Sequence, residues 1–159
     1  MIRTVMAAVG GYFTTAVLVM GFLIAATMIP DFVLRPGTVE LTEKFLAYQI
    51  GTGLVSAALG ARIAIMIAKE NRRAAVLLLA AFVLILGYAL AFSGQLSGSP
   101  VDVDPPPANV GSLSLAQRMQ YVQSPMWFAW VIPIVGAVGT LLGGMPLRAP
   151  KPTGVVPTA

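Results

Sequence analysis

AAVLLLAAFVLILGYALAF, residues Ala74–Phe92, holds no charged side chain and no proline. A run of this length falls within the ~17–25 residues that an α-helix needs to cross a ~30 Å hydrocarbon layer. Inside that layer a helix satisfies every backbone amide and carbonyl from within one segment, which an extended strand cannot do alone. Three more runs of the same kind flank it, at Val5–Ile29, Phe45–Ala68 and Met126–Met145. The chain is 57% hydrophobic and 10% charged, whereas a water-soluble domain needs roughly 25–35% charged residues on its surface. The expectation is an all-α integral membrane four-helix bundle, up-down-up-down. Residues 1–145 form a single four-span transmembrane domain, and 146–159 a flexible cytoplasmic tail.

The missing residue types restrict function. The chain has no His and no Cys, so disulfides, thiolate metal sites, c-type haem attachment, iron–sulfur ligation and imidazole zinc or copper sites are all excluded. The four runs contain no Asp, Glu or Lys. A nucleophile therefore has no base beside it, and a proton relay has no chain of acids to follow. We expect no enzyme. No cofactor is expected either, although a bound lipid or an apolar pigment would leave no mark on such helices. Haem held by Tyr or Met is allowed by composition, but nothing selects a site.

Ten basic residues against six acidic ones give a net charge of +4, and their placement follows topology. Arg3, Arg62, Lys69, Arg72, Arg73, Arg148 and Lys151 fall on one side of a four-span chain. Arg35, Lys44 and Arg118 fall on the other, with Asp31, Glu40, Glu43, Asp102 and Asp104. By the positive-inside rule both termini are cytoplasmic. No basic face interleaved with aromatics exists, so nucleic acid is not a partner. Arg3 before an apolar run, with Ala25-Ala26-Thr27 after it, has the outline of a signal peptide. The run is much longer than the 7–15 residues of a signal h-region, which favours a retained helix.

Between the runs, Pro30 stops the first helix, and a short external loop extends to Lys44. Thr38 or Thr42 is placed to cap the second helix, whose positive end suits Glu40 and Glu43. The turn at Lys69–Arg73 is tight, so spans two and three form an antiparallel hairpin packed side by side. The external loop 93–125 begins with a proline-rich extended part. It continues with a capping-box pattern at Ser114-Leu-Ala-Gln117, followed by Leu115, Met119 and Val122 on one face. This describes a short amphipathic interfacial helix on the outer membrane surface. Trp127 and Trp130 then anchor the fourth span at headgroup level. Asp102 and Asp104 on the proline-rich part fall short of the six to eight oxygens of a calcium site.

Small residues line two helices, at Gly53, Ser56, Ala57 and Gly60 and at Gly136, Gly139, Thr140 and Gly143. Such lines let backbones approach closely where no hydrophobic effect drives helices together. They serve packing within the chain's own bundle or docking onto other subunits. Arg62 is read as an interfacial anchor whose guanidinium snorkels to the cytoplasmic surface, since no span offers it a carboxylate. Tyr48, Gln49 and Thr52 form a polar cluster toward the outer end of span two, and Tyr12, Thr14 and Thr15 lie in the inner half of span one. These serve hydrogen bonding between helices or line a solute path.

The opening Arg3-Thr-Val-Met-Ala-Ala-Val-Gly-Gly-Tyr, the glycine-rich second span and the closing Pro125-Met-Trp-Phe…Gly139-Thr-Leu-Leu-Gly-Gly resemble a widespread, uncharacterised type of small bacterial four-transmembrane-helix protein. The resemblance implies the bacterial cytoplasmic (inner) membrane and brings no active-site residues with it. The expected function is that of a non-catalytic accessory or structural subunit of a larger membrane complex, with lipids and other membrane subunits as partners. The alternative is a homo-oligomeric channel or transporter for a small solute or ion, with walls of backbone and hydroxyl groups.

Overall fold

The computed structural model describes residues 2–29, 31–36, 38–69, 71–96, 114, 117 and 125–145. Four long helices carry these residues: α1 (Ile2–Thr27), α2 (Glu43–Ala68), α3 (Arg72–Leu96) and α4 (Met126–Gly144). Each is long and apolar enough to cross a membrane. The proline-rich part of the loop expected to be external, with Asp102 and Asp104, and the tail 146–159 lie outside the described residues. Of the segment expected to form a surface helix, only Ser114 and Gln117 are described. There the Ser114 amide and hydroxyl both donate to Gln117 Oε1 at 3.0 Å, and the Gln117 amide donates back to Ser114 Oγ at 3.3 Å. This is the reciprocal pairing of a capping box.

Contacts between the helices show how they run. Arg3 Nε donates to the Ile67 carbonyl at 3.0 Å, joining the start of α1 to the end of α2. Ala7, Ala68 and Ala75 cluster where α1, α2 and α3 meet beside the Lys69 turn. Val76, near the start of α3, lies against Gly144 at the end of α4. Helix α4 packs on both α2 and α3, while α1 and α4 scarcely meet. The expected side-by-side hairpin of α2 and α3 is met only near its turn, where Ala61 and Ala64 meet Leu79; α3 packs more extensively on α4 and on α1.

Alanine is the commonest buried residue among those described, as at Ala7, Ala8, Ala57, Ala61, Ala64 and Ala75. Side chains this small bring backbones close enough for extensive dispersion contact, the main force available between helices in lipid. Gly60 shows the consequence: a Cβ there would sit 2.5 Å from the Gly11 carbonyl oxygen of α1. Large apolar residues such as Phe13, Met20, Leu77, Ile85 and Leu141 point outward instead.

The segment between α1 and α2 is more than a plain loop. Leu34 and Leu41 form an antiparallel bridge. The Arg35 amide donates to the Glu40 carbonyl and the Thr42 amide to the Val33 carbonyl, both at 3.0 Å. Val33 and Leu34 are buried with Ala26 and Phe45, and Phe32 and Tyr48 pack on the same cluster. The Phe32 ring meets those of Tyr48 and Phe45 edge-on at 5.5 and 6.3 Å. Two exposed ion pairs, from Arg35 to Glu40 at 3.3 Å and to Glu43 at 3.8 Å, contribute little by comparison.

Thr42 ties this flap to α2. Its hydroxyl donates to the Phe32 carbonyl and accepts from the Phe45 amide at 3.1 Å. Thr42→Ala removes both bonds and leaves a helix-end amide bare. The expected loss is about 1–2 kcal/mol, read as a lower unfolding midpoint in detergent, with Thr42→Ser recovering most of it.

Candidate functional site

Because α1 and α4 stand apart, a cavity of about 480 Å³ opens between the four helices. Each helix contributes wall residues: Tyr12, Thr15 and Leu23 from α1, Gln49, Thr52 and Gly53 from α2, Val83 and Gly87 from α3, Pro133 and Gly136 from α4. Toward the α2–α3 turn, its wall residues Tyr12 and Val83 pack against the buried cluster of Ala8, Ala61, Ala64 and Leu79. From the level of Tyr12 to that of Leu23 the cavity follows α1 for about 16 Å at the helical rise of 1.5 Å per residue.

The cavity joins two groups that are far apart in the chain. Tyr48, Gln49 and Thr52 line its wall together with Tyr12 and Thr15. Most of these hydroxyls donate to backbone carbonyls. Tyr48 bonds the Phe22 carbonyl at 3.0 Å, Thr52 that of Tyr48 at 2.8 Å and Thr15 that of Gly11 at 3.0 Å. The Gln49 amide and the Tyr12 hydroxyl make no hydrogen bond among the described residues, and the Tyr12 ring meets Phe82 edge-on at 5.9 Å. Thr14 donates to the Gly10 carbonyl at 2.9 Å, away from the cavity wall.

The small-residue lines divide between the cavity and the helix contacts. Gly53 lines the cavity, and a Cβ there would have no atom within 4 Å. Gly136 lines it too, close to Val83. Gly139 and Gly143 face Leu54, Ala57 and Ala58 of α2, so close that a Cβ on Gly143 would lie 2.6 Å from the Ala58 Cα. Thr140 is fully buried and donates to the Gly136 carbonyl at 2.9 Å. Ser56 is also fully buried, and its hydroxyl has no partner among the described residues.

Arg62 is half-buried on α2 with no carboxylate bound to it among the described residues. Helix α2 continues to Ala68, so Arg62 sits about 9 Å, nearly two turns, inside its end. A long apolar stem reaching toward the surface suits that depth. Arg62→Lys is therefore expected to leave expression and unfolding unchanged. Arg62→Leu should lower the inserted yield modestly, measured by membrane fractionation. Failure of the lysine variant would show that the guanidinium has a specific anion. Trp127 and Trp130 are both exposed near the start of α4; Trp130 packs on Phe92 and Tyr88 at 5.2 and 5.6 Å.

Sequence reasoning found the polar part of this cavity and missed the apolar part. Val19, Met20, Val83 and Ile132 look like any lipid-facing residue in a membrane helix. Pro133 was an available signal. It removes a backbone donor within α4, and its ring lies where a Cβ on Gly87 would come within 2.8 Å of it.

Four apolar helices around a partly open cavity mark a multi-pass membrane protein. Comparison with protein-family models, curated proteins and solved structures found no match.

Proposed function

We propose that this chain is a non-catalytic accessory subunit of a larger membrane complex in the bacterial cytoplasmic membrane. In this reading the bundle runs up-down-up-down with both termini cytoplasmic. The segment that starts at Ser114 lies on the outer surface, and Arg62, Trp127 and Trp130 hold the spans at the interfaces. One observation carries the proposal: the hydroxyls inside the described spans mostly donate to the chain's own backbone. Four of these bonds run to the carbonyl four residues back in the same helix, and that of Tyr48 joins α2 to α1; hydroxyls engaged in this way offer little acid–base chemistry.

The cavity favours a second reading, a solute pathway in a homo-oligomer. The buried cluster of Ala8, Ala61, Ala64 and Leu79 between the cavity and the α2–α3 turn weighs against a path through a single copy. Native mass measurement after extraction in mild detergent separates the two. The accessory role predicts this chain together with different subunits in a fixed ratio. A pure homo-oligomer overturns that role and leaves the pathway standing.

A further inference from the structure

The cavity has properties that select an occupant. Among the described residues no charged side chain lines it, so an ionic headgroup would be desolvated there without compensation from them. Its walls are largely apolar, and Val19, Met20 and Leu90 at its margin are 41%, 58% and 68% exposed. A molecule dissolved in the membrane thus reaches it sideways, from the lipid. Its volume of about 480 Å³ falls within the ~300–1,000 Å³ of small-molecule sites. Two donors within it, the Gln49 amide and the Tyr12 hydroxyl, have no partner among the described residues. Gln49 lies beside Tyr48, which bonds the Phe22 carbonyl, and Tyr12 lies toward the other end of the cavity, so each is a separate donor that a neutral carbonyl oxygen suits in an apolar setting.

We propose that this cavity binds an uncharged membrane lipid, with a carbonyl-bearing head hydrogen-bonded by Gln49 or Tyr12 and an apolar chain lying along the α1 and α4 walls. The chemistry is shared by prenyl quinones and neutral acyl esters, and the test distinguishes them. The inference concerns the isolated chain and is independent of the accessory role.

Gly53 provides the decisive variant. A side chain there enters open space, so Gly53→Leu fills the cavity without forcing helices apart. Ala16→Phe, from the α1 wall, is a second filler in case the first fails to fold. Gly51→Leu is the control, because its Cβ also meets nothing within 4 Å but it does not line the cavity.

The full chain in phosphatidylcholine nanodiscs is titrated with a decyl-benzoquinone, following quenching of tryptophan fluorescence. Trp130 is close in sequence to Ile132 and Pro133 of the wall, which makes it a suitable reporter. Monooleoylglycerol is then titrated as a competitor, and its own binding is read by native mass spectrometry. Saturable binding of either probe is expected, weakened about tenfold by Gln49→Leu, as for loss of one buried hydrogen bond. It should be abolished in a folded cavity-filling variant and unchanged in Gly51→Leu. Quinone binding assigns a prenyl quinone; binding of the glyceride alone assigns an acyl ester. Non-saturable partition that is equal in wild type and Gly53→Leu overturns the proposal, as does binding of neither probe.

Discussion

Gly143→Leu is expected to prevent assembly of the four-helix unit. A Cβ at this position would lie 2.6 Å from the Ala58 Cα and 2.8 Å from its carbonyl carbon. The obstruction is backbone, so no rotamer change on α2 can relieve it. Helix α4 must move away, and the contacts of Gly139 with Leu54 and Ala57 are then lost as well. Overpacking at such a point costs about 1–3 kcal/mol even when the site can adjust. Here a whole helix pair separates, so the loss should exceed about 4 kcal/mol, a large part of a typical ~5–15 kcal/mol total. Size-exclusion chromatography and thermal unfolding in detergent should show aggregation or a greatly lowered midpoint. Gly143→Ala should fall between. Gly21→Leu should match wild type, because nothing lies within 4 Å of a Cβ there. A Gly143→Leu protein that unfolds with the wild type would mean that α2 and α4 do not touch at this point.

The second large effect is all-or-none. The chain contains no cysteine, so a single introduced thiol reports one position without background. Glu40 in the flap before α2 and Asn71 between α2 and α3 are both exposed. By the positive-inside rule the basic residues Lys69, Arg72 and Arg73 lead us to expect the α2–α3 turn on the cytoplasmic side, because translocating that cluster is unfavourable. In intact cells, Glu40→Cys should react fully with a membrane-impermeant maleimide, and Asn71→Cys only after permeabilisation. Labelling of both from one side would overturn the four-span topology.

Those two residues also mark how far the chain could be read by eye. The number and rough extent of the helices follow from apolar runs long enough for a bilayer. Helix α3 starts at Arg72, close to the run that began at Ala74, and continues past Phe92 to Leu96. The cap at Thr42 was one of two candidates because Thr and Ser caps are recognisable by type. The flap around it was missed, although Phe32-Val33-Leu34 is a plain apolar triplet inside a polar segment. Three residues have no period, and only the neighbouring Ala26 and Phe45 show that they are buried.

Composition and spacing alone therefore determined that this is a four-helix membrane chain without His or Cys and with no Asp, Glu or Lys in its apolar runs. They also picked out small-residue lines, of which Gly60, Gly139 and Gly143 lie at close helix approaches, while Gly11 and most of the buried alanines were not singled out. Local hydrophobicity suffices for this, since the bilayer acts on each helix separately. Which helices pair was settled only by tertiary structure. The line Gly53–Gly60 divides, with Gly60 against Gly11 on α1 and Gly53 facing empty space. The cavity is likewise a property of the assembled bundle, arising because α1 and α4 remain apart. In lipid an inward-facing leucine and an outward-facing one have nearly the same surroundings, so no pattern in the sequence can tell them apart.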